Sequence, residues 1–220
     1  MKILALEFST DVRSVAVVDA IPGSAPEVRS ACQQTEGRET RAIALIDQAI
    51  AQAGIERTEI DHLAIGLGPG SYTGVRLALA LAHGWNLGRP ASLLGVNSMT
   101  VLASQALSAG WTGLAHFVID AHRGEFYTAT YDLTPPIPVC QQPLRIVSRQ
   151  EIDRFATESI PLAGPEIQKW WSQGRPLVPT ASILGLLAAR NHEVVPGPQL
   201  EPVYLRATSF VKAPPPRFNP

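Results

Sequence analysis

The stretch Gly66-Leu-Gly-Pro-Gly-Ser-Tyr-Thr-Gly-Val-Arg76 joins an apolar run at 62–67 to a helical run at 75–87, and its reading decides the fold. Gly68, Gly70 and Gly74 let the backbone turn sharply and approach another element closely. Free N–H groups at the start of the following helix suit an anion. The segment lacks the Gly-Lys-Ser/Thr ending of a phosphate loop and the spacing of a dinucleotide fingerprint. A plainer reading is favoured on local grounds: Ser71 or Thr73 caps the helix, and the glycines permit tight strand–helix packing.

The helix at 75–87 carries only Arg76, His83 and Asn86 as clearly polar side chains. A helix apolar nearly all round needs cover on more than one side. Gly74, Ala78 and Ala82 recur at the spacing that stacks residues on one face, forming a smooth ridge on which another helix packs closely. The preceding helix, entered after Glu39 and stopped at Gly54, has a similarly broad arc, with Leu45 and Ala49 beside Ile43, Ile46 and Ile50. The expected partner face is therefore Leu45, Ala49, Gly74, Ala78, Leu81, Ala82 and Trp85. The alternative is a helix pair enclosed within a single domain.

Outward from this centre the pattern is mixed α/β. Strand-like runs at 2–8 and 14–19 flank a polar hairpin tip, and a third run at 28–34 extends an antiparallel sheet. A strand at 92–96 leads to a helix through about 107, with Ser98 as its expected cap. The second part repeats the opening with a hairpin at 114–120 and 125–131. Pro135, Pro136 and Pro138 then form a loop. A strand–helix–strand–helix series is expected at 144–171, followed by a helix at 182–190. The expected organisation is an N-terminal half at 1–108, a C-terminal half at 109–212 and a disordered Pro-rich tail at 213–220. Two halves that each open on a hairpin suggest a duplication that the letters alone do not establish.

Composition narrows the function. The 220 residues are 45% hydrophobic and 17% charged, enough for a real core. Eighteen Lys and Arg against nineteen Asp and Glu leave a net charge of −1, so counterion release alone would not pull the chain onto nucleic acid. Cys32 and Cys140 lie far apart with no zinc or disulfide spacing. Met1-Lys2 runs directly into Ile3-Leu4-Ala5-Leu6, too short a stretch for a signal sequence, and no apolar run reaches membrane-spanning length. A cytoplasmic location with no membrane attachment is expected. His62, His83, His116, His122 and His192 make no HxxxH, HxH or HExxH pair, so no metal ligands are expected. A GxSxG elbow is also missing, and no catalytic residue is assigned.

The first hairpin offers Glu7, Ser9 and Thr10 at a strand end, and Asp120 occupies the matching place before the second hairpin's turn. Facing strand-end carboxylates across a cleft form the pattern of a nucleotide clasp. Each is also ordinary turn chemistry. Arg145, Arg149, Arg154, Lys169 and Arg175 cluster loosely and could reach an RNA backbone or simply be solvated.

Taken together, Ile3-Leu-Ala-Leu-Glu-Phe-Ser-Thr10, Gly66-Leu-Gly-Pro-Gly-Ser-Tyr-Thr-Gly-Val-Arg76 and Gly95-Val-Asn-Ser98 resemble the bacterial TsaB (YeaZ) family. Ile119-Asp-Ala-His-Arg-Gly-Glu-Phe-Tyr127, Ala163-Gly164 opening a helix, and Pro202-Val-Tyr-Leu-Arg206 continue the resemblance. It implies an α/β fold of the actin/Hsp70/sugar-kinase class, with two related halves, each a mixed sheet with packed helices. It also implies a part in forming N6-threonylcarbamoyladenosine in tRNAs that read codons beginning with A. In that family the transferase is the sister protein TsaD, whose metal is held by a helical histidine pair. TsaB is a degenerate relative that serves as a platform, TsaE is an ATPase that joins, and another enzyme supplies threonylcarbamoyl-AMP.

The resemblance implies that this chain needs no cofactor, with ATP and metal bound by partner subunits, and that it forms a homodimer when alone. It implies contact with tRNA mainly through the complex. Residues 36–45, where the sister protein carries its histidine pair, contain no histidine. Glu7, Ser9, Thr10, Asp120 and Gly164 are the candidates for a residual nucleotide contact, although Phe8 stands where relatives often have a small residue or Thr. The alternative is a small-molecule kinase or ATPase of the same fold, with Glu7 and Asp120 around Mg·ATP. A metalloprotease would need the missing histidine pair.

Overall fold

A computed structural model describes residues 1–35, 41–191, 193–197 and 200–205. The predicted tail at 213–220, residues 36–40 and His192 lie outside them. The first sheet is built from β1 (Lys2–Glu7), β2 (Val12–Asp19), β3 (Glu27–Thr35), β4 (His62–Gly66), β5 (Ser92–Val96) and β11 (Val195–Pro196), in the order β11-β5-β4-β1-β2-β3. β1, β2 and β3 are antiparallel neighbours, while β4 and β5 run parallel to β1. The second sheet has β6 (Leu114–Asp120), β7 (Glu125–Asp132), β8 (Val139–Ser148), β9 (Leu162–Gly164) and β10 (Arg175–Pro176), ordered β10-β9-β6-β7-β8.

These orders are the same arrangement used twice. In each sheet the first strand sits centrally, with its hairpin partner on one side and a parallel strand on the other. The duplication that the letters only suggested is therefore present in the topology, and the expected two-halved α/β architecture is the one observed. Strand alternation explains the layering. Leu4, Leu6, Val15 and Val17 face one core, while Ile3, Ala5, Ala16 and Val18 face another on the opposite side of the same sheet.

Helices α1 (Ala42–Ala53) and α2 (Tyr72–Gly88) cover the first face, and α5 (Ala181–Ala189) covers the second. Gly185 lets α5 lie close, because a Cβ there would come 2.6 Å from Val18 Cγ2. α3 (Ser98–Ser108) packs on the second sheet through Met99, Leu102 and Ala106, and α4 (Arg149–Phe155) follows β8.

The structure changes several expectations. The division at 109–212 is too simple, since α5 and β11 return to the first sheet, and Leu200 is buried in the core beneath α1 and α2. The apolar surface of α5 finds its complement on β1 and β2, a long-range choice that local sequence does not encode. Asn97 rather than Ser98 caps α3, its side chain accepting from Met99 N at 2.8 Å. Ala163-Gly164 ends a strand, and only a 3-10 turn at Ile167–Lys169 follows.

Candidate cleft site and helix face

The two hairpin turns and the β4–α2 loop meet at a cleft of about 270 Å3 between the halves. Ser9, Thr10, Gly70, Thr73 and Asp120 all line it. The loop is held against the first turn by the backbone: Ser71 N donates to Ser9 O at 2.7 Å, and a Cβ on Gly70, whose φ is 146°, would lie 2.1 Å from that oxygen. Ser71 caps α2, its side chain accepting from Gly74 N. The capping reading of the glycine stretch is thus the one observed.

The polar groups expected around a nucleotide are largely committed elsewhere. Glu7 does not reach the cleft. It is fully buried, with its carboxylate accepting from Ser9 N at 2.9 Å and Ser98 Oγ at 3.0 Å. A Cβ on Gly66 would overlap that carboxylate. Burial pushes the Glu7 carboxyl above its usual range, and the hydrogen bonds from Ser9 and Ser98 pull against that shift. The kinase-like arrangement of Glu7 and Asp120 around one metal-bound nucleotide is corrected on this ground.

Thr10 Oγ1 both donates to Val12 O and accepts from Val12 N, so it shapes the hairpin turn. Gly164 lies outside the cleft as well. Its bare Cα lets Val118 O approach within 1.8 Å of a would-be Cβ, a strand-packing role. Asp120 stays at the cleft, where its Oδ1 accepts from His122 N at 2.7 Å and braces a turn with His122 and Arg123 both at φ 61°. Asp11, Asp120 and Glu166 give this hollow a carboxylate-rich rim. Among the described residues, no cluster of three or more His, Cys, Asp or Glu side chains could hold a metal.

The expected partner face is turned inward. Leu45, Ala49, Gly74, Ala78 and Ala82 are buried in the chain's own core, with Ala78 at 0% and Ala82 at 1% exposure. Leu81 and Trp85 are half-buried against the same core. Gly74 explains the orientation, because its missing Cβ seats the first turn of α2 on the Phe8 carbonyl. The rest of the helix rotates with it. Thr73, Ala80, Gly84 and Leu87 are left outward, with Leu77 at the margin and Leu87 92% exposed.

Sequence reasoning also missed the C-terminal segment. Val203 N donates to Leu67 O at 2.8 Å, tying residues 200–205 across the glycine loop. Tyr204 meets Tyr72 at 5.7 Å between ring centroids and accepts a hydrogen bond from Arg76 Nε at 3.0 Å. The Pro202-Val-Tyr-Leu-Arg206 motif is the sequence signal for this contact, and it does not say where the segment docks.

The family model described as TsaD: tRNA N6-adenosine threonylcarbamoyltransferase matches residues 35–198. The chain belongs to this family. Within it, the TsaB/YeaZ type is the one supported. This TsaD-family chain is 31% identical over 127 residues to the tRNA threonylcarbamoyladenosine biosynthesis protein TsaB of Haemophilus influenzae, covering 58% of this chain and 52% of that protein. It is 31% identical over 131 residues to the protein of the same name from Escherichia coli strain K12, covering 60% and 55%. The chain spans about half the length of the curated relatives it matches. A solved structure of YeaZ from Pseudomonas aeruginosa superposes with a TM-score of 0.75 at 24% identity, covering 93% of this TsaD-family chain and 99% of that one. That likeness establishes the fold. No helix among the described residues is long and apolar enough to cross a membrane.

Proposed function

We propose that this chain is a noncatalytic subunit in the formation of N6-threonylcarbamoyladenosine in tRNA, docking on a TsaD-type transferase through the outward face of α2. The carrying observation is that face itself: Thr73, Ala80, Gly84 and Leu87 form a small, largely apolar surface outside the chain's own core, with Leu77 half-buried at its margin. A Cβ on Gly84 would meet nothing within 4 Å, so a second helix can approach closely there. The lack of histidine in 36–45 supports a platform rather than a transferase, as does the internal commitment of Glu7.

In this reading ATP and metal are carried by the partner subunits, and a TsaE-type ATPase joins the pair. Without its partner the chain closes the same face against a second copy. The tRNA is held mainly by the assembled complex in the cytoplasm.

The test uses cells depleted of their own TsaB, supplied with this chain or with Ala80→Arg. The unsubstituted chain should co-purify with the transferase and restore the modified adenosine in bulk tRNA, measured by mass spectrometry. Ala80→Arg should remain folded and do neither. A folded unsubstituted chain that restores nothing sinks the subunit reading. An Ala80→Arg chain that still restores the modification places the contact elsewhere.

A further inference from the structure

We propose that the hollow walled by α3, α5 and the proline loop between β7 and β8 is a binding site for a small amphipathic monocarboxylate. At about 360 Å3 it falls in the range of small-molecule sites, roughly 300–1,000 Å3, and shares no lining residue with the interdomain cleft. Leu107, Ile183 and Leu186 supply apolar walls from two helices. Ile137, fixed between Pro136 and Pro138, adds a third wall while remaining 48% exposed.

One polar group defines what would complete the site. Arg190, at the C-terminal end of α5, is exposed and pairs with no carboxylate among the described residues. No acidic side chain lines the hollow. A guanidinium beside an aliphatic floor complements a single carboxylate on an apolar body. A cation would meet Arg190, and a neutral alcohol would leave its charge unmatched.

The hollow also joins the two halves. α5 lies on the first sheet, whereas α3 packs on the second sheet and the proline loop belongs to it. A bound carboxylate therefore touches both halves at once and stabilises their docking by an amount that grows with the logarithm of its concentration above Kd. None of this depends on the tRNA-modification reading.

The experiment is calorimetric titration of the full chain with octanoate, octanol and octylammonium. Octanoate should bind saturably, about tenfold tighter than octylammonium, as expected for one charge-assisted contact. Arg190→Gln should reduce octanoate to the level of octanol, and Ile183→Trp should fill the hollow and abolish binding. Equal binding of octylammonium and octanoate, or full octanoate affinity in Arg190→Gln, overturns the proposal. Should Ile183→Trp lose its thermal transition, Arg190→Gln, an exposed change, decides between these outcomes by itself.

Discussion

A Cβ built on Gly74 would lie 1.9 Å from the carbonyl oxygen of Phe8, so the first turn of α2 rests directly on the backbone that follows β1. This contact fixes which side of an almost wholly apolar helix faces the core. It also separates two glycines on one helix that look alike in sequence. Gly74→Ala should destabilise the chain by about 3 kcal/mol, because the obstruction is backbone and cannot rotate away. Gly84→Ala, in open space, should stabilise it by roughly 0.5–1 kcal/mol through helix propensity. Denaturant unfolding of the two variants checks both signs, and equal effects would remove the orientation argument.

The same rotation predicts opposite fates for arginine at neighbouring positions. Ala78 is buried at 0% exposure, so Ala78→Arg places an unpaired charge in the core and should abolish the cooperative transition, at a cost on the order of 4 kcal/mol or more. Ala80 is exposed, and Ala80→Arg should unfold within about 0.5 kcal/mol of the parent. Thermal scans and solubility after expression distinguish the two before any partner is added.

Glu7 gives stability a pH dependence with a definite sign. Its carboxyl is raised above the ordinary 4.5 by burial, so the folded protein holds that proton more tightly than the unfolded chain. The associated stability is fully present below pH 4.5 and is lost as pH rises through the folded value. Glu7→Gln removes the ionisation while keeping an oxygen to accept from Ser9 N. Relative to this variant, the parent should lose stability on going from pH 4.5 towards neutrality. Parallel pH profiles for the two proteins would refute the assignment.

Tyr131 ties the second sheet to α3. Its hydroxyl lies 3.1 Å from Thr100 Oγ1, which donates to Glu193 Oε2 at 2.6 Å. Burial pushes the phenol up to about 12. The stability due to the neutral phenol is intact below pH 10 and lost as pH rises through about 12. Tyr131→Phe should remove one late component from an ultraviolet titration and cost about 1 kcal/mol for the lost hydrogen bond. A titration curve unchanged by the substitution would rule this out.

Much of the architecture was legible because local pattern and local structure agree in this chain. The hairpin strands at β1–β2 and β6–β7 follow from β-rich runs around polar turns, and β5 and β6 have the predicted limits. The cleft was half legible. Ser9, Thr10 and Asp120 do meet there, since strand ends of paired hairpins converge in a duplicated fold, but Glu7 and Gly164 do not.

By itself, the sequence determined most of the elements and the repeated hairpin opening, because these rest on residue spacing and turn chemistry that act over a few residues, and its motifs carried the family resemblance. Tertiary structure alone decided that Glu7 is buried under Ser9 and Ser98, that α5 and residues 200–205 cross back to the first half, and that Ala78 faces inward while Ala80 faces outward. The physical reason is the same each time. An apolar or polar side chain carries no label for its partner, and the choice is made only when sheets pack and a contact such as Gly74 on Phe8 permits a single orientation.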